Sequence, residues 1–186
     1  MNNFLQYKRK NTGFTLIELI VTITIVGIFA SYAVPSFSNL LERNRVTAAT
    51  NQLVSALTMA RSESLKRSNT VTLCQSTTQT ACTGGSDFSK GWIVFLDCDD
   101  NGVRAAGAVD CDGDGVAAAG EGEQIVKVQD LLYGVYIANN IAGNNIGFNF
   151  AGRSNNPSTF NVGVDPSDLR TDLVVSRVGR LRSQGH

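Results

Sequence analysis

The sequence predicts an α+β protein in which one long N-terminal helix precedes an antiparallel sheet domain. Three observations carry that prediction. Residues 14–34 form an apolar run, FTLIELIVTITIVGIFASYAV, broken by the single acid Glu18. Apolar residues then recur at helical spacing as far as Ala60. After residue 68 the pattern changes to short runs rich in Val, Ile, Thr and aromatics, separated by Gly, Asn and Asp clusters. The 186 residues allow one ordinary domain plus an appendage. The roughly 115 residues after the helix are enough to bury a core of their own.

Residues 1–13, MNNFLQYKRKNTG, carry three positive charges and no negative ones. As a helix, the apolar run that follows would span about 30 Å, the thickness of a bilayer's hydrocarbon core. The preceding basic residues would hold the N-terminus in the cytoplasm. A cleaved secretory signal has a shorter apolar core with its small-residue cleavage site after it; here the small residue at the basic-to-apolar junction is Gly13. Gly27 and Pro35 are weak points of the helix, because Gly loosens it and Pro removes a backbone bond. Beyond Pro35, Phe37, Leu40, Leu41, Ala49, Leu53, Leu57 and Ala60 fall on one face, with Glu42, Arg43, Arg45, Asn51, Ser62 and Glu63 opposite. This predicts one interrupted helix over about 14–67, its second half lying on a sheet. Strands are expected at 70–75, 91–97, 123–129, 133–138, 146–150, 158–163 and 172–182.

The segment KNTGFTLIELIVTITIVG resembles the leader and first helix of type IV pilins (class III leaders). The resemblance implies cleavage between Gly13 and Phe14 by a prepilin peptidase at the cytoplasmic face, then N-methylation of Phe14. It implies that Glu18, the fifth mature residue, pairs with the N-terminal amine of a neighbouring subunit and sets register during assembly; a carboxylate at membrane depth is costly and functional by default. Gly27 and Pro35 match positions where pilin helices bend or melt in filaments. Three further segments, GWIVFLD (91–97), GFNFAGR (147–153) and DLVVSRVGRLR (172–182), resemble the GspH/FimT/FimU subgroup of minor pilins and pseudopilins.

The implied architecture is a pilin fold. It divides into a leader (1–13), a transmembrane and assembly helix (14–35), the amphipathic half of that helix (36–67) and a β-rich head in the periplasm (68–186). The implied protein is a single-pass subunit of the bacterial inner membrane, assembled into a type IV pilus or a type II secretion pseudopilus, in its initiation or tip complex. Its partners would be other pilins or pseudopilins, the inner membrane and the prepilin peptidase. An enzyme is not expected. The only His is the last residue, no Gly-Lys-Ser/Thr phosphate loop occurs, and neither a required cofactor nor a small-molecule substrate is implied.

Four cysteines, Cys74, Cys82, Cys98 and Cys111, fall in the part expected outside the inner membrane. An even count in an oxidising compartment favours two disulfides. Of the three pairings, Cys74–Cys82 with Cys98–Cys111 is favoured because each bridge closes a short local loop. A zinc site lacks both a C-x-x-C spacing and a nearby His.

Residues 97–109, DCDDNGVRAAGAV, and 110–122, DCDGDGVAAAGEG, are identical at eight of thirteen aligned positions, which indicates a tandem duplication. The second copy matches a calcium-loop pattern through Asp110, Asp112, Asp114, Gly115 and Glu121. The first copy has Asp97, Asp99, Asn101 and Gly102 but reaches Ala108 where the closing Glu belongs. Two readings stand: a calcium site in the second copy, or an acidic Gly-rich hairpin extension whose Asp and Gly serve as turn formers.

The formal net charge is zero, which excludes a uniformly basic coat for nucleic acid. That neutrality is a sum of opposites. Without the leader the chain has 13 Lys and Arg against 16 Asp and Glu; residues 97–123 carry −7, and residues 170–186 carry +3. Gly179-Arg180-Leu181-Arg182 resembles the G-R-x-R tail of FimT-type pilins that bind DNA during natural transformation. In an extended strand Arg180 and Arg182 point to one side, so DNA is an alternative partner. The other reading of both residues is solvated hairpin charge.

Overall fold

The computed structural model describes residues 13–105, 107–117, 122–140 and 144–185. The chain divides into two compact units, residues 1–41 and 42–186, and the helix α1 (Leu16–Arg67) contributes to both. Residues 1–12 of the expected leader (1–13), Glu121 and His186 lie outside the described residues.

In the first unit, Thr15 caps α1. Its Oγ1 accepts the Glu18 N–H at 3.3 Å, so the Thr-x-x-Glu spacing supplies one half of a capping box. The Glu18 carboxylate sits in the first helical turn, where the helix dipole favours negative charge. The helix passes through Gly27 and Pro35. Leu16, Ile17, Leu19, Ile23, Val26, Ile28 and Phe29 are all exposed, and the segment is long and apolar enough to cross a membrane. Phe37, Leu40 and Leu41, expected in the packed stripe, are also exposed.

In the second unit, burial on α1 starts at Val46 and continues through Ala49, Leu53, Ala56, Leu57 and Ala60, the three-and-four spacing of a helix face set on a sheet. Two four-stranded antiparallel sheets make up the rest. One has the order β3-β2-β1-β5, with β1 Thr70–Gln75, β2 Trp92–Asp97, β3 Ile125–Gln129 and β5 Asn145–Phe148. The other has the order β4-β6-β7-β8, with β4 Tyr136–Asn139, β6 Ser158–Asp165, β7 Asp168–Val175 and β8 Leu181–Gly185. Trp92, Val94 and Leu96 face the main core with Val71 and Leu73, while the alternate residues Ile93 and Phe95 pack with Cys74 on the opposite face. Phe160 from the second sheet meets Phe88 edge to face, with ring centroids 5.2 Å apart. Both sheets therefore contribute to one core with α1.

One expected strand is two. Residues 172–182 form the end of β7, a turn and the start of β8. The turn is local chemistry. Ser176 N–H donates to the Arg180 carbonyl, Gly179 N–H donates to the Ser176 carbonyl, and Gly179 has φ of +72°. This matches a three-residue hairpin loop that ends in a left-handed residue.

Candidate functional site

The acidic extension is the connection between the antiparallel neighbours β2 and β3, residues 98–124. Such connections usually have about two to five residues, and long ones tend to carry function. The duplication in the sequence is a duplication of structure. In the first copy, Asp97 accepts N–H bonds from Asn101 and Gly102, Asp99 accepts from Asn101, and Asn101 Oδ1 accepts from Val103. In the second, Asp110 accepts from Gly113 and Gly115, Asp112 from Asp114, and Asp114 from Val116. Each copy thus winds its backbone around side-chain oxygens at its first, third and fifth positions. The sixth position is a glycine in the left-handed region in both, with φ of +76° at Gly102 and +87° at Gly115.

The carboxylate oxygens of Asp110, Asp112 and Asp114 lie within 4.8 Å of one another. Backbone N–H bonds from Gly113 and Gly115 hold the Asp110 carboxyl below its ordinary value. Glu121, the expected closing ligand, lies outside the described residues. A second cluster was not legible in the sequence: Asp97, Asp99 and Glu123 also come within 4.8 Å. Glu123 stands beyond the end of the repeat, yet the returning chain brings it back over the first copy. There its carboxylate accepts the Cys98 and Ala105 N–H groups. Asp97 and Glu123 are each only 1% exposed, and burial pushes both carboxyls up.

One disulfide and three side chains fix the extension, and a second disulfide lies next to it in the sheet. Cys98 pairs with Cys111, with Cα atoms 5.0 Å apart, so the second position of one copy is tied to the second position of the other. Cys74 pairs with Cys82, with Cα atoms 5.7 Å apart, beside the Ile93–Phe95 cluster. Asn69 donates to the Cys111 carbonyl, Arg104 donates to the carbonyls of Glu123 and Thr80, and Thr72 Oγ1 donates to Asp97 Oδ2 at 2.7 Å.

The basic feature lies on the β7–β8 hairpin. Arg182 pairs across from Val174, and Arg180 faces Ser176 through the turn. Arg180, Arg182 and Gln184 line one groove with Val174, Ser176 and Val178. Arg177 and Arg180 are exposed at the turn, and Arg153 is exposed on an adjoining one, where Ser154 N–H donates to the Arg177 carbonyl. Arg170, which the sequence groups with these residues, is not part of this surface. It is paired with Asp168 and, at 3.0 Å, with Glu42, and both pairings hold its guanidinium above its ordinary value.

The family model described as type II transport protein GspH matches residues 49–179, and the prokaryotic N-terminal methylation motif matches residues 8–34. Among curated proteins, the chain is similar to a fimbrial protein of Pseudomonas aeruginosa, 39% identical over 54 residues that cover 29% of this chain and 35% of that protein. It is also similar to the type IV major pilin protein PilA of Myxococcus xanthus, 35% identical over 57 residues, 31% of this chain and 26% of that one. These matches span about a third or less of the relatives' length. Among solved structures, it has the fold of the type IV minor pilin FimU of Pseudomonas aeruginosa. The TM-score is 0.52 at 20% identity, covering 76% of this chain and 90% of that one.

Proposed function

As a member of the GspH family, the chain is a minor pilin or pseudopilin of type IV pili or type II secretion and not an enzyme, and we propose that it serves in the initiation or tip complex of such an assembly. The observation that carries the proposal is the first unit: an apolar helix exposed along its length, with one carboxylate, Glu18, four residues after Phe14. An exposed apolar surface of this kind calls for lipid or neighbouring helices. In this reading the prepilin peptidase cleaves between Gly13 and Phe14 and Phe14 is N-methylated. The helix then crosses the inner membrane once, with the head in the periplasm. Glu18 pairs with a neighbour's terminal amine, and Gly27 and Pro35 let the helix yield when it packs. The test is Gly13→Val in cells expressing the full chain. Processing should stop, leaving the longer, leader-bearing form in the membrane; mature protein of normal size would refute the cleavage assignment.

A second reading, DNA capture at Arg180 and Arg182, is supported by their exposure beside one groove where the turn enters the edge strand β8. Paired guanidiniums there suit successive phosphates and give weak, sequence-independent, salt-sensitive binding. A gel shift with duplex DNA at two salt concentrations tests it, and no shift at the lower salt would remove it. Calcium at Asp110, Asp112 and Asp114 is likewise a proposal. Its support is the convergence of three carboxylates on a loop wound as hard-cation loops require.

A further inference from the structure

We propose that a polar pocket on the outer face of the first sheet binds a neutral, hydroxyl-rich ligand the size of one sugar residue. The proposal goes beyond the assembly reading and shares no residue with the DNA or calcium sites.

The pocket follows from strand register. Cys74 lies on the face of the sheet away from the main core, and alternation puts Thr72 there with it. Across the β1–β5 ladder Thr72 pairs with Gly147 and Cys74 with Asn145, so these residues share that face. The end of β2 and the first repeat copy supply one wall, through Asp97 and Asp100. The chain entering β6 supplies the other, through Asn155 and Asn156. The cavity is about 280 Å³, near the lower end for small-molecule sites and suited to a single sugar ring. Gly147 keeps its floor open: a Cβ there would stand 3.0 Å from Thr72 Oγ1 and 3.1 Å from Asn155 Nδ2.

The lining decides the ligand class. Among the described residues no Lys or Arg lines the pocket, which disfavours an anion, and no aliphatic or aromatic side chain does, which disfavours an apolar ligand. Asp97 is already committed. Its Oδ1 accepts the Asn101 N–H, and its Oδ2 accepts the Thr72 hydroxyl and the Gly102 N–H. One exposed carboxylate and three amides remain. The amides are held in place: Asn145 Nδ2 donates to the Gly102 carbonyl at 3.1 Å, Asn156 Nδ2 to Asn145 Oδ1 at 3.0 Å, and Asn155 Nδ2 to Asp100 Oδ1 at 3.0 Å. Asp100 Oδ2, Asn155 Oδ1 and Asn156 Oδ1 accept nothing among the described residues, and Asn145 and Asn155 each keep one N–H. Hydroxyls, which donate and accept, match such a mixed wall, and a wall already ordered loses little freedom on binding.

The test titrates the full-length chain, in micelles of a phosphocholine detergent that carries no sugar, with glucose, galactose, mannose and N-acetylglucosamine, read by saturation-transfer NMR. At least one should bind with a Kd on the order of millimolar, as its few atoms allow. Binding should be the same at about 0.05 M and 0.3 M salt, because the ligand is neutral, and should persist in chelator. Asp100 has φ of +59°, so Asp100→Gly removes the carboxylate without straining the turn. It should weaken binding about tenfold, and Asn156→Ala about threefold; thermal melts confirm that both fold. Retention on a matrix whose oligosaccharide ends in the binding sugar would assign the site to glycan termini, and binding of the free sugar alone would assign it to soluble sugars. No transfer from any of the four sugars at about 50 mM, binding unchanged in both variants, or binding lost in chelator overturns the proposal. Any of these failures, with normal cleavage at Gly13 and normal entry into filaments, leaves the assembly reading standing.

Discussion

Arg61 Nη1 donates a 2.9 Å hydrogen bond to the carbonyl of Gly179, 118 residues further along the chain. That bond ties α1 to the tip of the β7–β8 hairpin. Gly152 enters the same contact: a Cβ there would stand 3.2 Å from Arg61 Nε, and a Cβ on Gly179 would collide with the Gly152 carbonyl oxygen. Two glycines thus let two turns close on one arginine. They lie in GFNFAGR and VGR, two of the segments that carry the family resemblance, so packing accounts for part of what those segments encode.

Arg61→Ala should therefore cost about 1.5–3 kcal/mol, the range for a hydrogen bond to a charged donor. Gly179→Ala should cost about 1–2 kcal/mol for its left-handed backbone alone, with the collision added. Urea denaturation monitored by circular dichroism measures both. A Gly179→Ala protein as stable as the wild type would contradict this account of the hairpin.

The buried pair Asp97 and Glu123 sets a pH dependence. Both carboxyls are raised in the folded state, so the folded chain holds protons that the unfolded chain releases. Their contribution is fully favourable below the ordinary carboxylate range and is lost as pH rises through the raised folded values. Thermal melts in chelator from about pH 4 upward should show this decline, and Glu123→Gln should flatten it. A Glu123→Gln protein with an unchanged pH profile would mean that the pair does not govern the slope.

Calcium binding would appear as stabilisation, because a ligand held only by the folded chain must raise its melting temperature. Millimolar calcium should raise the melting temperature of the wild type, and Asp112→Asn with Asp114→Asn should reduce the rise. No shift in the wild type would remove the cation from the account and leave the repeat as an acidic extension.

The Cys98–Cys111 bridge joins residues 13 apart in sequence. Cys98→Ser with Cys111→Ser should cost about 3 kcal/mol in the chain-entropy account, measured by denaturant melts of the oxidised proteins. A loss near zero would show that the hydrogen-bond ladders alone hold the extension.

How far the sequence could be read follows from the range of the forces involved. The helix, β1, β2 and both local disulfides were legible because each depends on neighbours along the chain. The hairpin break after Ser176 was not. The apolar pattern runs on through Val178 and Leu181, and the turn depends on Gly179 closing against Arg61 and Gly152. Phe37, Leu40 and Leu41 continue the helical spacing but lie outside the buried stripe, which begins at Val46. Glu123 is not legible in the sequence because a loop pattern takes its last ligand from inside the loop, whereas the fold returns one from the chain beyond it. Arg170 reads as free positive charge in the sequence because its partners Glu42 and Asp168 are brought to it only by the fold.

The central claim is that this chain is an assembled subunit and that Glu18 drives its assembly. The direct measurement is the fraction of the chain in sheared filaments or pseudopili, wild type beside Glu18→Ala, with membrane insertion followed in parallel. The account predicts wild-type protein in the filament fraction, and Glu18→Ala protein that inserts in the membrane but stays out of filaments. Equal incorporation of the two, or wild-type protein absent from filaments, would contradict it.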